Sequence, residues 1–196
     1  MLDLFVATTN RGKFAEYEDL LAGAPVRVRS LADLPAAPPE PSEDAETYEE
    51  NAAVKAREYA RATGLLTIAD DSGLEVAALG GAPGVRTKRF FGDDVPDAER
   101  NRRLLALLAG VADRRARFVC LIGLAWPDGR VETFEGVCPG RIAERPAGTH
   151  GFGYDPIFAP EGSEVTMAEL PEEAKNRISH RGRAAAKLRQ RLRQLA

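Results

Sequence analysis

The chain has 196 residues, of which 30 are acidic and 27 basic, so its formal net charge is −3. This length predicts a single domain over residues 1–196 that folds without disulfides or structural metals. The two cysteines, Cys120 and Cys138, form neither a CxxC pair nor a zinc-binding pattern, which excludes a disulfide framework and favours the reducing cytoplasm.

The chain carries no sequence pattern for export or membrane insertion. The apolar run at residues 2–6 is too short for a signal peptide, and no basic residue precedes it. The longest uncharged apolar stretch, 118–126, has nine residues, fewer than a membrane span needs. We therefore expect neither export nor a membrane partner.

Hydrophobic periodicity predicts alternating strands and helices in the first half of the chain. The strands are predicted over 2–8, 25–29 and 65–69, and the helices over 11–22 and 47–63. The proline-rich stretch 34–41 is predicted to be a loop, because proline fits neither a helix interior nor a central strand.

The second half continues the same interleaving. Its sequence pattern predicts a loop at 80–84, a helix at 96–108 and a hairpin of strands 117–126 and 130–137. A loop at 146–156 and a helix from Ser179 or Arg181 to the end are predicted to follow. Interleaved strands and helices indicate an α/β fold. We expect an elongated mixed β-sheet with flanking helices, whose two lobes surround a central substrate cleft.

The junction between the first strand and the first helix is a candidate anion site. Its residues are Thr8, Thr9, Asn10, Arg11, Gly12 and Lys13. Backbone N–H groups at a helix start, together with hydroxyls and Lys13, suit a phosphate. The segment is not a P-loop, because Ala7 and Phe14 replace the required glycine and hydroxyl residue. An ordinary capped helix with an exposed lysine explains these residues equally well.

Two adjacent carboxylates, Asp70 and Asp71, directly follow the strand predicted over 65–69 and precede Ser72. Ligands of open α/β sheets bind at the carboxyl ends of strands. Crowded carboxylates repel each other, and Mg²⁺ relieves this repulsion because it prefers hard oxygen ligands. One carboxylate beside a metal-bound water can act as a base. We favour metal binding or catalysis over the alternative, a turn capped by one aspartate.

Residues 31–50 hold seven acids and no base. Three of these acids are spaced as an acidic first turn that complements the helix dipole, namely Glu46, Glu49 and Glu50. Glu43 precedes the helix and could supply a further ligand. Lys55, on an alanine-rich helix face, could point into the site or into solvent with equal weight.

A glycine-rich, aromatic loop spans 148–155. Such a loop lets the backbone approach a planar ligand while Phe152 stacks on it and Asp155 accepts hydrogen bonds. Within the loop, His150 is more typical of a loop histidine than of a catalyst. Tyr154 is more typical of a packing residue.

The last part of the chain, 174–196, holds eight bases and no acid. Its residues Lys175, His180 and Arg181 offer only hydrogen-bond donors when charged, and donors suit a keto oxygen. The basic tail also fits a nucleic-acid-binding module. Against this, the acidic segments repel a phosphate backbone and no known DNA- or RNA-reading motif is present, so we expect no nucleic-acid partner.

Taken together, these motifs resemble the inosine triphosphate pyrophosphatase family nearly end to end. The matching segments are ATTNRGKFAE near the N-terminus, ENAAVKA at 50–56, IADDSGLEVAALGGAPG at 68–84, RF at 89–90, PAGTHGFGYDPIF at 146–158 and AELPEEAKNRISHRGRA at 168–184. Several long motifs in the right order are far more specific than any one of them.

The resemblance implies Mg²⁺-dependent hydrolysis of ITP, dITP and XTP to the monophosphate and pyrophosphate by a homodimer. It implies that Asp71 is the proton acceptor and a Mg²⁺ ligand, that Glu43 is the second metal ligand, and that Lys13 and Lys55 act near the phosphates. Binding of the triphosphate is implied for Thr8, Thr9, Asn10, Arg11, Gly12 and Lys13. Contacts with the rest of the substrate are implied for Ser72, Phe152, Gly153, Tyr154, Asp155, Lys175, His180 and Arg181.

Base selectivity follows from chemistry. Hypoxanthine and xanthine carry an acceptor at position 6, where adenine carries an amino donor. The donors Lys175 and Arg181 can pair with the first two and are left unsatisfied by adenine. A related pyrophosphatase acting on other modified bases or on ordinary dNTPs is the alternative within enzymes.

Two segments depart from the family pattern. His150 stands where relatives usually carry a second glycine, and this departure leaves the backbone geometry of the loop open. Arg86, Thr87 and Lys88 replace a run of small residues and add two positive charges. Neither departure touches the phosphate or carboxylate motifs, so we expect activity to survive.

Overall fold

A computed structural model describes residues 1–195, which form six β-strands and five α-helices joined by loops and short 3₁₀ turns. The strands are β1 (Leu2–Val6), β2 (Val26–Arg29), β3 (Leu66–Val76), β4 (Arg115–Ala125), β5 (Val131–Ile142) and β6 (Phe158–Pro160). The helices are α1 (Arg11–Leu20), α2 (Tyr48–Thr63), α3 (Asp97–Leu107), α4 (Glu172–Ile178) and α5 (His180–Leu195). No helix in this part of the chain is long and apolar enough to cross a membrane.

All six strands belong to one sheet, in the order β2-β1-β3-β4-β5-β6. Strand β1 pairs parallel with β2 and with β3, whereas β5 pairs antiparallel with β6. The predicted α/β fold with a mixed sheet and flanking helices is therefore confirmed. Strand β2 lies at one end of the sheet.

The chain divides into two compact units. Unit 1 comprises residues 1–71, 120–136 and the chain from Arg181 onward, and unit 2 comprises 72–119 and 137–180. The single domain and the substrate cleft expected from the sequence stay predictions.

The core of unit 1 joins the sheet to the last helix. Leu188 and Leu192 of α5 are fully buried in one cluster with Leu4 of β1, Ile68 of β3 and Ile122 of β4. Their i, i+4 spacing places the two leucines on one helix face, as the sequence predicted. The basic residues of α5 lie outside this apolar cluster.

Unit 2 has its own apolar core. Leu104 of α3 packs in it with Leu74 of β3 and Phe158 of β6. Phe118 of β4 lies at its centre, with its ring centroid 4.6 Å from that of Phe158 and 4.6 Å from that of His180. Strand β6 and helix α4 were not predicted, because a strand of three residues and a helix of seven are too short for a clear periodicity.

Helix α2 begins and ends as the sequence predicted. The Thr47 hydroxyl accepts a hydrogen bond from the N–H of Glu50 at 3.2 Å and caps the first turn. Gly64 follows the last residue with φ 69°, the left-handed conformation in which glycine ends a helix without strain. These two residues define the segment that carries Asn51 and Lys55.

Strand β3 differs most from its prediction. It was expected to end at Ala69, with Asp70 and Asp71 just beyond its carboxyl end, but it runs for 11 residues to Val76. The apolar pattern resumes at Leu74 and Val76, so one face of the strand stays buried after the aspartates, while Glu75 on the other face is half-buried. Neighbouring residues of a strand point to opposite faces of the sheet, so the two carboxylates diverge. The expectations of a strand end and of crowded carboxylates were wrong.

Candidate functional site

The predicted phosphate segment forms an exposed junction between β1 and α1. Asn10 caps the helix, because its side-chain oxygen accepts a hydrogen bond from the N–H of Lys13 at 3.1 Å. The Thr8 hydroxyl accepts one from the N–H of Asn10 at 3.2 Å. The capped helix is therefore present, and a phosphate at its N-terminus stays a prediction.

Asp70 lies at the centre of a buried charged cluster in unit 1. Its Oδ2 is 3.0 Å from Nζ of Lys13 and 3.3 Å from Nη2 of Arg181. Arg181 also binds the carboxylate of Glu16, three residues after Lys13 on α1. Burial acts to raise the pKa of Asp70, but the charges of Lys13 and Arg181 hold it well below its usual range. Asp70 is thus a permanent anion that holds Lys13 in place.

Asp71 has different surroundings from its neighbour. Its Oδ2 accepts a hydrogen bond from Nδ2 of Asn51 on α2 at 2.9 Å. Burial raises the pKa of Asp71 to about 6, although the Asn51 hydrogen bond and the charges of Lys55 and Lys13 act to lower it. A carboxyl group with a pKa near neutrality suits proton transfer, because it can both release and accept a proton at working pH.

Helix α2 joins the acidic loop to Asp71. Lys55 binds the carboxylate of Glu43 and donates to the backbone carbonyl of Asp70 at 3.0 Å. Asn51 lies one turn earlier on the same helix face, and its side-chain oxygen accepts from the N–H of Ala45 at 3.0 Å. Lys55 is therefore buried rather than solvated, and its role in catalysis stays a prediction.

The carboxylates of Glu43 and Asp71 fit a magnesium site. Glu43 binds Lys55, and the charge of Lys55 acts to lower the pKa of Asp71 while that of Glu43 acts to raise it. Mg²⁺ is usually held by one or two carboxylates together with water and substrate phosphates. Within residues 1–195, no cluster of three or more His, Cys, Asp or Glu side chains could hold a metal ion.

The predicted nucleoside residues come together in unit 2. Asp155 and Lys175 form a buried ion pair with 2.6 Å between Oδ2 and Nζ. The same oxygen of Asp155 accepts a hydrogen bond from the N–H of Phe152 at 3.0 Å. Nζ of Lys175 lies 5.2 Å from the ring centroid of Phe152. One carboxylate therefore organises a cation and an aromatic ring that the sequence separates by more than twenty residues.

The remaining predicted residues have separate surroundings. His180 stacks on Phe118 with 13° between the ring planes. Tyr154 is buried, as expected of a packing residue, and its hydroxyl donates to the carbonyl of Thr87 at 3.4 Å. Ser72 is half-buried in β3. Arg181 lies in the cluster of Asp70 and belongs to unit 1, whereas Lys175 and His180 belong to unit 2.

A model of the Ham1 family matches residues 4–191 of the chain. This chain belongs to the Ham1 family. Among its relatives, the dITP/XTP pyrophosphatase of Syntrophobacter fumaroxidans is 51% identical over 187 residues, which are 94% of this chain and 79% of that protein. The dITP/XTP pyrophosphatase of Geobacter sulfurreducens is 48% identical over 98% of this chain and 97% of its own. The resemblance seen in the sequence is confirmed.

Solved structures of Ham1 proteins share the fold. A HAM1 protein from Coxiella burnetii superposes with a TM-score of 0.89 at 40% identity, covering 99% of this chain and 100% of that one. A nucleoside-triphosphatase / dITP/XTP pyrophosphatase from Mycobacterium abscessus superposes with a TM-score of 0.74 at 43% identity, covering 95% and 98%. Relatives with these names are hydrolases that act on nucleoside triphosphates.

Both departures from the Ham1 pattern are accommodated in unit 2. Among residues 1–195 only glycines have a positive φ, so His150 needs no left-handed backbone. Thr87 holds the 84–87 turn, because its hydroxyl donates to the carbonyl of Gly84 at 2.7 Å and accepts from the N–H of Leu74 at 2.8 Å. The two added charges, on Arg86 and Lys88, are exposed.

Two residues of the site, Asn51 and Glu16, were missed from the sequence. Asn51 stands in the ENAAVKA motif four residues before Lys55, and this spacing could have placed it on the same helix face. Glu16 gave no such signal. Glu16 meets Arg181 across 165 residues of sequence, a contact that no local pattern predicts.

Proposed function

We propose that this Ham1 protein hydrolyses non-standard purine nucleoside triphosphates, namely ITP, dITP and XTP, to the monophosphate and pyrophosphate and so removes them from the nucleotide pool. The observation that carries the proposal is Asp71, a carboxyl group with a pKa raised by burial to about 6 beside Lys55, Asn51 and Glu43. The names of the relatives support the same substrate class.

The phosphates are proposed to bind residues 8–13 and Lys55. Reaction at the α–β phosphoanhydride builds negative charge on phosphate oxygens, and the ammonium groups of Lys13 and Lys55 with the N–H groups of α1 stabilise that charge. Glu43 and Asp71 would hold Mg²⁺, which neutralises phosphate charge when bound. Asp70 keeps Lys13 oriented through its 3.0 Å ion pair.

Asp71 is proposed to accept the proton of the attacking water. Its pKa of about 6 leaves the carboxylate mostly ionised at neutral pH and still more basic than an ordinary aspartate. The hydrogen bond from Asn51 occupies Oδ2 and orients the group. General-base catalysis is most efficient when the pKa lies near the working pH.

The base is proposed to be recognised by Phe152, Asp155 and Lys175, with contributions from His180 and Arg181. The Phe152 ring stacks on the purine. The Lys175 ammonium has three donors, so it can serve Asp155 and a 6-keto oxygen together. Adenine would place an amino donor against that ammonium, and an unpaired buried donor costs binding energy. Ser72, Gly153 and Tyr154 are proposed to shape the same binding surface.

The decisive experiment is a panel of purine and pyrimidine triphosphates assayed for pyrophosphate with and without Mg²⁺. We expect Mg²⁺-dependent pyrophosphate release from ITP, dITP and XTP, strongly preferred over ATP. Orthophosphate as the first product, or equal rates on ITP and ATP, would contradict the proposal. Low activity on ITP with high activity on another modified nucleotide would keep the reaction and change the substrate.

We also propose that the protein acts on free nucleotides as a homodimer in the cytoplasm. Both cysteines are thiols rather than halves of a disulfide, which agrees with a reducing compartment. Sedimentation velocity measures the assembly directly, and a species of one chain at micromolar concentration would contradict the dimer.

A further inference from the structure

Helix α3 holds the backbone of Gly153 at both of its polar groups. Oδ2 of Asp97 accepts a hydrogen bond from the N–H of Gly153 at 2.8 Å. Nδ2 of Asn101 donates to the carbonyl oxygen of the same residue at 3.0 Å. Asp97 and Asn101 are four residues apart, so they lie on one face of the helix.

Gly153 lies between Phe152 and Tyr154 in the loop that presents the predicted nucleoside residues. Its φ of 64° is the left-handed conformation, which turns the chain sharply at this residue. The N–H of Phe152 is bound by Asp155. The curvature of the loop is therefore set from within by Asp155, whereas its position on unit 2 is set from outside by α3.

The two side chains that hold Gly153 are themselves anchored. Asn101 is 3% exposed. The other carboxylate oxygen of Asp97, Oδ1, is 2.9 Å from Nη1 of Arg100, which is also buried. Oδ1 of Asp97 thus binds the Arg100 side chain of the same helix, whereas Oδ2 binds the Gly153 N–H of the loop.

We propose that Asp97 and Asn101 are positioning residues for nucleoside recognition. They hold Gly153 so that Phe152 and Asp155 present a fixed surface to the base. This inference rests on the proposed function of the same loop. Loss of either side chain releases the loop and weakens nucleoside binding, while proton transfer at Asp71 in unit 1 is left intact.

The test compares Asp97→Ala and Asn101→Leu with a matched control, Glu99→Ala. Glu99 lies in the same first turn of α3, where it forms ion pairs with the exposed side chains of Arg102 and Arg103. We expect KM for ITP to rise about tenfold in each test variant, with kcat within about threefold of wild type. Glu99→Ala keeps both constants. Asp97→Asn retains an acceptor for the N–H of Gly153 and restores most of the lost affinity.

A second measurement does not depend on turnover. Hydrogen exchange followed by mass spectrometry should show faster exchange in peptides covering 151–155 for Asp97→Ala, with the peptides of α3 unchanged. Inhibition by inorganic tripolyphosphate, which has no nucleoside, should be the same as in wild type. Unchanged KM together with unchanged exchange in both test variants would overturn the inference. It would also be overturned if kcat and tripolyphosphate binding fell by the same factor as KM rose.

The two proposals fail in different ways. Wild-type protein that does not release pyrophosphate from ITP contradicts the proposed function, and the exchange experiment then decides the anchoring of Gly153 by itself. Wild-type protein that is active on ITP, with test variants that match it in KM, contradicts only the role of Asp97 and Asn101.

Discussion

Asp70 and Asp71 show how two identical neighbours acquire different chemistry. Asp70 faces Lys13 and Arg181, and these cations keep it ionised despite complete burial. Asp71 faces Asn51, and burial raises its pKa to about 6. The alternation of side chains along β3 separates the two carboxylates. One becomes a structural anion and the other a candidate base.

Asp71→Asn tests the catalytic assignment. The amide keeps an oxygen that accepts the hydrogen bond from Asn51, so the fold should persist, but it cannot take up a proton. We expect kcat for ITP to fall at least about a hundredfold, the size of a lost general base, while the melting temperature does not decrease. Steady-state kinetics and thermal unfolding measure the two effects.

The matched control for this substitution is Glu49→Gln, an exposed carboxylate on α2 that binds the Thr133 hydroxyl. It should keep wild-type turnover. A near-normal kcat in Asp71→Asn would show that Asp71 is not the base. A large loss of kcat in Glu49→Gln would show that loss of any negative charge, rather than loss of a base, lowers kcat.

At the scale of elements, the site depends on how closely α2 approaches β4. A Cβ atom at Gly123 would lie 2.7 Å from the carbonyl oxygen of Ala52 and 3.2 Å from Cβ of Ala56. Because the first contact is with helix backbone, no side-chain rotation relieves it. Glycine at this position therefore determines the height of α2 above the sheet, and with it the positions of Asn51 and Lys55.

Gly123→Ala should consequently affect stability and activity together. We expect a loss of about 1–3 kcal/mol in the free energy of unfolding, the usual cost of overpacking. We also expect reduced kcat, because the displaced helix carries Asn51 and Lys55. Urea unfolding and ITP turnover measure the two effects. Wild-type stability in this variant would show that α2 moves away without cost.

At the scale of the molecule, the net charge of −3 is the sum of an acidic segment and a basic tail. Much of the tail is paired on the surface of unit 1. Arg191 binds Glu132 at 2.7 Å, and Lys187 donates to the carbonyl of Glu135 at 2.7 Å. Arg181 differs, because it is buried against Glu16 and Asp70. The basic tail thus forms mainly the outer face of α5, and Arg181 alone among these three basic residues binds in the charged cluster of Asp70.

Global unfolding can be followed through the two thiols. Cys120 is fully buried, and burial raises its pKa to about 12, while Cys138 is 1% exposed. The thiolate is the reactive form, so neither cysteine should react with an aromatic disulfide reagent at pH 8 in the native state. We expect both thiols to react only when denaturant unfolds the chain, at the rate of unfolding. Rapid labelling without denaturant would contradict this.

A Cys138→Ala variant supplies the control for the labelling experiment. It leaves Cys120 as the single reporter in unit 1, and its labelling midpoint should coincide with the loss of helical circular dichroism. An earlier midpoint would show that unit 1 opens locally before the whole chain unfolds.

Much of this protein follows from local sequence. Apolar periodicity predicts β1, α2 and α5 close to their observed ends, because the spacing of apolar residues along a segment can be seen without knowing what the segment packs against. Long ordered motifs determine the family, and the roles predicted for Glu43, Lys55 and Asp71 come from that resemblance. The Pro-rich loop and the glycine stop after α2 follow from the backbone chemistry of two residue types.

Tertiary structure alone decided which charges act together. The partners of Asp70 come from α1 and α5, and those of Gly153 come from α3, 52 residues earlier in the chain. The continuation of β3 through two aspartates also depends on tertiary structure. Lysine, arginine and asparagine side chains from other elements satisfy the two carboxylates, so they can be buried in a strand where no local pattern predicts them. Local sequence sets how each segment folds, whereas the pKa of a buried group depends on whatever the fold brings within a few ångströms of it.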